Sequence, residues 1–353
     1  MKRICFYLSD HGFGHIARNL PIVCRLLERA DAHVFLVCGA AHLRFAEQNL
    51  TQVEQGRVTL RPLHTDVGWI LREGTLLVDA PLLEAAATAF LRKLPERARS
   101  EARWLRDNRM DAVVCDMPIW SIEAARQAGV PLLYIGNFTW AELYREYLPE
   151  TIWQGYAAEY AKIGHALLYA LHNTEMLEWV RGPEVSMVAR PFHLEVARRI
   201  RKGHTRPVVF VSLGMSAAFQ EPIDVSGAAC DFYTTPGVPL AGGNVIIVPY
   251  SVPNSQDYVL AANYVISKAG WGTVAEALLA GKPMALFARD SILEDRTTIR
   301  LLENENLAFS IEPDDLKQMD TMLARFSRLD AKQAKKYHDS SEEIAQYIWN
   351  LMQ

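Results

Sequence analysis

The sequence predicts an α/β protein built from two doubly wound domains, and three observations carry that prediction. Short apolar runs alternate with longer stretches of helical periodicity, as expected for βαβ units and a parallel sheet. At 353 residues the chain is too long for one ordinary core. The alternation also starts afresh after Glu195–Arg206, a polar stretch rich in Arg and Lys that reads as an interdomain connection. The expected division is residues 1–200 for the first domain and 201–337 for the second, with a C-terminal helix in 338–353 packing back onto the first.

Taken in order, Arg3–Leu8 is a first strand, followed by a Gly-rich turn and a helix over about His15–Arg29. His33–Cys38, Val58–Leu63, Ala112–Cys115, Pro131–Ile135 and Ala166–Leu171 are further strands, because each is a short run of apolar residues rich in Val, Ile and Leu. Helical periodicity covers Leu83–Asn108 and Trp120–Ala128. In the second half, Val208–Leu213, Val245–Val248, Tyr264–Ser267 and Met284–Ala288 read as strands, with a helix over Thr273–Ala280 and mostly helices after it.

Composition narrows the function. Lys plus Arg number 37 against 41 Asp plus Glu, a net charge of −4, so no large cationic surface exists to attract nucleic acid. The five cysteines form no C-x-x-C pair and are poorly spaced for a disulfide framework, which fits a reducing, cytoplasmic setting. Ile4–Leu8 is too short for a signal peptide, and Leu76–Leu91 is broken by Asp79, Pro81 and Glu84, so no transmembrane segment is expected.

Two Gly-rich turns join a strand to a helix. In the first, Asp10–Arg18, Gly12, Gly14 and Ala17 meet the loose G-x-G-x-x-G/A pattern. An NAD site would need an acid at the end of the second strand, and that strand ends in Cys38-Gly39-Ala40. His15 opens the helix at the strand's C-terminal edge, where imidazole suits a general base; it also suits a residue that merely caps or packs on the turn. Asp116 ends a strand at the same sheet edge and is either the carboxylate that orients His15 or a cap for the following helix, with Pro118 in its first turn.

The second turn, Ser267–Glu276, puts Lys268, Gly270, Trp271, Gly272 and Thr273 at a helix N-terminus, whose free N–H groups and partial positive charge suit a diphosphate. Glu276 is placed for a ribose, yet Thr273-x-x-Glu276 is also a capping box that needs no ligand. Gly214 and Ser216, in the loop after Val208–Leu213, are further candidates for the phosphates.

Together these segments resemble the GT-B glycosyltransferases, which have two Rossmann-like domains facing across a cleft. KAGWGTVAEALLAGKP is similar to the donor signature of plant small-molecule UDP-glycosyltransferases and of the bacterial peptidoglycan N-acetylglucosaminyltransferase. The resemblance implies phosphate contacts from Lys268 and Thr273 and a ribose contact from Glu276. It also implies that Tyr250, with Ser251 beside it, stacks on the base. It implies that His15 and Asp116 are the base and its orienting acid, and that Glu294 and Asp295 stand where those enzymes hold the donor sugar with an Asp-Gln pair.

HGFGHIAR, VVCDMPIW and KAGWGTVAEAL also resemble the glycosyltransferase-like N-terminal domain of plant arabinokinases, over residues 1 to about 310. The HGFGHIAR turn alone is similar to a UDP-sugar hydrolase of bacterial nonulosonate synthesis. The expected function is inverting, metal-independent transfer of a sugar from a UDP-sugar to a small-molecule or lipid acceptor hydroxyl, with no cofactor. The alternatives are hydrolysis of a UDP-sugar, binding without turnover and, more remotely, an NAD-dependent dehydrogenase. Trp120, Phe138, Trp140 and Tyr144 are candidates for an acceptor pocket or for core packing.

Overall fold

The computed structural model describes residues 1–50, 55–73, 75, 77–213, 222–249 and 251–353. It divides into two compact units, Met1–Arg72 with Leu77–Met187 and Ser340–Gln353, and Glu73–Leu76 with Val188–Asp339.

In the first unit, strands β1 (Lys2–Leu8), β2 (Ala32–Cys38), β3 (Val58–Pro62), β4 (Ala112–Asp116), β5 (Leu132–Gly136), β6 (His165–Tyr169) and β7 (Glu184–Val185) form a parallel sheet ordered β3-β2-β1-β4-β5-β6-β7. Ile4 to Leu8 are all fully buried, as befits a central strand covered on both faces. Between the strands run α1 (Gly14–Leu27), α2 (Ala40–Asn49), α3 (Ala80–Asp107), α4 (Ile119–Ala128), α5 (Trp140–Arg145) and α6 (Glu150–Tyr160). Asp79 caps α3 by accepting from Leu82 N, and Pro81 lies in its first turn, where a missing N–H costs nothing.

The second unit holds α7 (Leu194–Arg201), β8 (Val208–Ser212), β9 (Ile223–Asp224), β10 (Asp231–Thr234), β11 (Leu240–Ala241), β12 (Val245–Ile247), α8 (Gln256–Ala261), β13 (Tyr264–Lys268), α9 (Trp271–Leu279), β14 (Met284–Phe287), α10 (Leu293–Asn304), β15 (Ala308–Ile311) and α11 (Met319–Phe326). Its main sheet is parallel and ordered β12-β10-β8-β13-β14-β15, with β9 and β11 paired beside it. Val209, Val211, Phe232, Ile266, Ala285 and Phe326 belong to its core. The last helix, α12 (Ser341–Asn350), belongs to the first unit, packs against α1 and buries Ile344, Ala345 and Ile348.

Three expectations need correction. The Arg-rich stretch read as a connection is helix α7: Ala197 is its buried residue, and Arg198, Arg199 and Arg201 fall in its last turn, where cations suit the helix dipole. The passage between units falls earlier, at Met187–Val188. β10 and β15 escape a reading by apolar runs because Asp231 and Thr234 bound the first and Ser310 interrupts the second.

Read as positions along the chain, both main sheets run 3-2-1-4-5-6, with one further strand in the first. Adjacent strands whose connections leave in opposite directions open a crevice at their carboxyl ends, where α/β folds place ligands. In the first unit that point lies between β1 and β4; in the second it lies between β8 and β13.

Candidate functional site

At the first switch point, Leu8 and Asp116 are register partners, so the turn after β1 and the last residue of β4 share one edge. Gly12 has φ +76°, a left-handed conformation that glycine adopts without strain, and it lets the chain turn into α1. The turn is tied down by acids. Asp10 accepts from the N–H groups of Gly39 (2.5 Å) and Thr65 (2.8 Å), with His64 Nδ1 at 2.9 Å. Asp66 accepts from Asp10 N (3.1 Å) and Trp140 Nε1 (3.0 Å). Burial pushes the Asp66 carboxyl up, and its bond to Ser9 and the nearby His15 only partly offset this.

His15 Nδ1 lies 2.9 Å from Asp116 Oδ1. Arg18 donates to both oxygens of Asp116, from Nε (2.8 Å) and Nη2 (2.6 Å), and Asn19 Nδ2 donates to Oδ2 at 2.6 Å. Asp116 is fully buried, which by itself would raise its carboxyl, but the Arg18 guanidinium and His15 hold it well below the usual carboxylate range. His15, Arg18 and Asn19 fall on one helix face at i, i+3 and i+4. Neither capping alternative is observed: α1 is entered from Phe13 and α4 from Pro118, and neither helix has a side-chain cap. Met117, next to Asp116, has φ +93°, a strained backbone held by Tyr160, whose hydroxyl donates to Met117 O at 2.8 Å.

His15 Nε2 has no hydrogen-bond partner among the described residues and is not sealed from solvent. An imidazole fixed at Nδ1 by a carboxylate and open at Nε2 is built to accept a proton. Gly14 beside it is exposed, with open space where a Cβ would stand. His42 and His64, to which the sequence assigned nothing, also come to this edge: His42 Nε2 lies 3.1 Å from Gly12 O, and its ring stacks on Phe13. Trp120, Phe138, Trp140 and Tyr144 are all core residues, at most 2% exposed.

At the second switch point, β13 ends at Lys268 and α9 begins at Trp271, two residues earlier than expected, with Gly270 at its N-cap and no capping side chain. The capping-box reading therefore fails: Thr273 lies inside the first turn, and Glu276 is engaged elsewhere. Arg190, which the sequence reading missed, donates to Glu276 Oε1 from Nε (3.2 Å) and Nη2 (2.9 Å), to Pro253 O from Nη1 (2.6 Å) and to Ser255 Oγ from Nη2 (2.9 Å). Among the described residues Glu276 Oε2 has no partner.

The Lys268 ammonium likewise makes no hydrogen bond or ion pair among the described residues, and burial followed by the nearby Arg289 lowers its pKa. Asp295, expected to face a sugar, is fully buried and clasped by Arg289 Nε and Nη2, while Glu294 is half-buried. Ser251 is exposed in the turn after β12. Gly214, Ser216 and Tyr250 lie outside the described residues. No helix among the described residues is long and apolar enough to cross a membrane.

Residues 198–347 match the glycosyltransferase family 28 C-terminal domain. The L-arabinokinase of Arabidopsis thaliana is 24% identical over 84% of this chain, and the chain spans 29% of that relative's length. Among solved structures, UGT89C1 of Arabidopsis thaliana complexed with UDP is similar with a TM-score of 0.67 at 12% identity, covering 99% of both chains. MurG of Acinetobacter baumannii is similar with a TM-score of 0.59 at 14% identity, covering 99% of this chain and 100% of that one. Residues 198–347 thus match a glycosyltransferase family 28 C-terminal domain, and the chain as a whole shares its fold with these solved structures.

Proposed function

We propose that the chain is an inverting, metal-independent glycosyltransferase that moves a sugar from a UDP-sugar to an acceptor hydroxyl. The observation that carries this reading is the His15 ring, with Nδ1 on Asp116 and Nε2 unpartnered among the described residues. The acceptor O–H gives its proton to Nε2 as its oxygen attacks the anomeric carbon, and the bond from that carbon to the β-phosphate oxygen breaks on the opposite face. Such a base contributes about 10²–10⁴-fold.

UDP leaves with its charge, which the uncapped N-terminus of α9 and Lys268 are suited to stabilise without a metal. Glu276, held by Arg190 through one oxygen, keeps the other for the ribose. UGT89C1 complexed with UDP and with UDP-L-rhamnose supports the choice of donor.

A thermal-shift panel of nucleoside diphosphates, nucleotide sugars and NADH is the first test, since a ligand of the native state raises its stability. UDP and a UDP-sugar raise Tm, and NADH does not. With the stabilising donor and an acceptor panel, His15→Ala loses about 10²-fold or more in turnover while still binding UDP, and EDTA changes nothing. Acceptor-free release of sugar, lost in His15→Ala, would instead identify a hydrolase. UDP binding with no turnover in any assay would identify a binding protein.

A further inference from the structure

The network around Asp116 contains a full charge that the proposed proton transfer does not use. Arg18 is 3% exposed and spans the switch point: Nε and Nη2 hold Asp116, Nη1 donates to Asn137 Oδ1 at 2.8 Å, and the guanidinium lies over the Tyr169 ring. Its Nη2 is also 3.0 Å from His15 Nδ1. The same ring nitrogen therefore faces a carboxylate at 2.9 Å and a guanidinium at 3.0 Å.

The two charges act on His15 in opposite directions. A carboxylate beside Nδ1 favours the imidazolium, and a cation at equal range disfavours it. Because Arg18 and Asp116 are both buried, salt screens neither strongly. With Arg18 present, the cluster is neutral while His15 is neutral and becomes positive when the ring takes a proton. Without Arg18 it would be negative at rest, and protonation would neutralise it.

The other groups near the ring are Asp66, in the segment after β3, and His42 on α2, which lies close enough to interact with it; Asn19 on α1 and Phe138 after β5 are uncharged. Nη2 also competes with Asp116 for Nδ1. A ring that donates to Asp116 presents a bare Nε2, and one that accepts from Arg18 presents Nε2–H. We propose that Arg18 is a positioning residue that offsets Asp116 and sets the proton affinity and tautomer of His15.

The proposal rests on His15 as the base, but it is tested without donor or acceptor, so its failure and that of the transfer reading are distinguishable. The full chain is labelled with ¹⁵N-histidine, and the titration of the His15 ring is followed by long-range ¹H–¹⁵N NMR, with the signal assigned by its loss in His15→Gln. In Arg18→Gln the midpoint rises by about one pH unit, because the carboxylate is no longer offset. In Arg18→Lys, which keeps the charge but not the fork, it stays near that of the unaltered chain.

A midpoint in Arg18→Gln that is unchanged or lower would overturn the proposal and leave Arg18 a structural brace. Should Arg18→Gln fail to fold, the double variant Arg18→Gln/Asp116→Asn removes both charges and strands neither. Its midpoint returns to near that of the unaltered chain if the two charges offset each other. A midpoint well below that value would show that Asp116 acts alone, and would overturn the proposal equally.

Discussion

At the switch point of the first sheet, Asp10, Arg18, Asp66 and Asp116 are all hydrogen-bonded, and the ring nitrogen His15 Nε2 is left without a partner among the described residues. At the switch point of the second, the Lys268 ammonium and one oxygen of Glu276 are left without partners among the described residues, beside a helix N-terminus with no capping side chain. The same strand order thus yields two different surfaces. One has its charged groups paired and leaves His15 Nε2 open among the described residues. The other is unfinished and short of an anion, which on the proposed reading is the diphosphate.

The sharpest way to break this contrast is to strand a charge in the finished site. Asp116→Ala leaves the buried Arg18 without its carboxylate, and should cost about 3–5 kcal/mol in urea unfolding. A cost below about 1 kcal/mol would show that the first turn does not depend on its pairing. Lys268→Met makes the opposite test, because it removes a half-buried cation that has no partner among the described residues. Tm of the free protein should hold or rise, while UDP affinity measured by calorimetry falls about tenfold. A loss of Tm with UDP affinity intact would reverse the assignment.

The smallest effect lies within the first unit, between two buried acids. Asp116 has its cation; Glu142, at the start of α5, is met by neutral donors, the N–H and hydroxyl of Thr139 first among them. Burial raises its pKa to about 8, with the Thr139 bonds opposing. A folded pKa raised above the unfolded one gives a contribution fully present below about pH 4.5 and lost as pH rises through about 8. The depressed Asp116 contributes above its ordinary carboxylate range, and that contribution is lost as pH falls. Glu142→Gln should therefore flatten the fall in Tm between pH 5 and 8 by about 2–4 °C, as read by calorimetric scans at several pH values.

Much of this was legible in the sequence because apolar runs and Gly-rich turns are local signals. Strands β1, β4, β8 and β13 and the positions of His15, Asp116, Lys268 and Gly270 follow from them. Two alternatives were undecidable from local signals alone. Thr273-x-x-Glu276 satisfies a capping pattern, and only the approach of Arg190, 86 residues away, shows where the carboxylate goes. Asp295 reads as a polar residue free for a ligand until Arg289 is seen around it. Arg18 could have been found from its i+3 spacing to His15, but its partner Asn137, 119 residues on, could not. Charge pairs between distant segments leave no periodicity in the sequence.

The return of α12 to the first unit has a consequence for biogenesis. β1 to β7 emerge from the ribosome early, yet the α1 surface that receives Ile344, Ala345 and Ile348 stays open until the whole second unit has been made. N-terminal portions usually fold first during synthesis, and here that portion waits with apolar surface uncovered. A stalled or truncated product lacking α12 would carry an exposed greasy stripe on α1, a natural handle for chaperones.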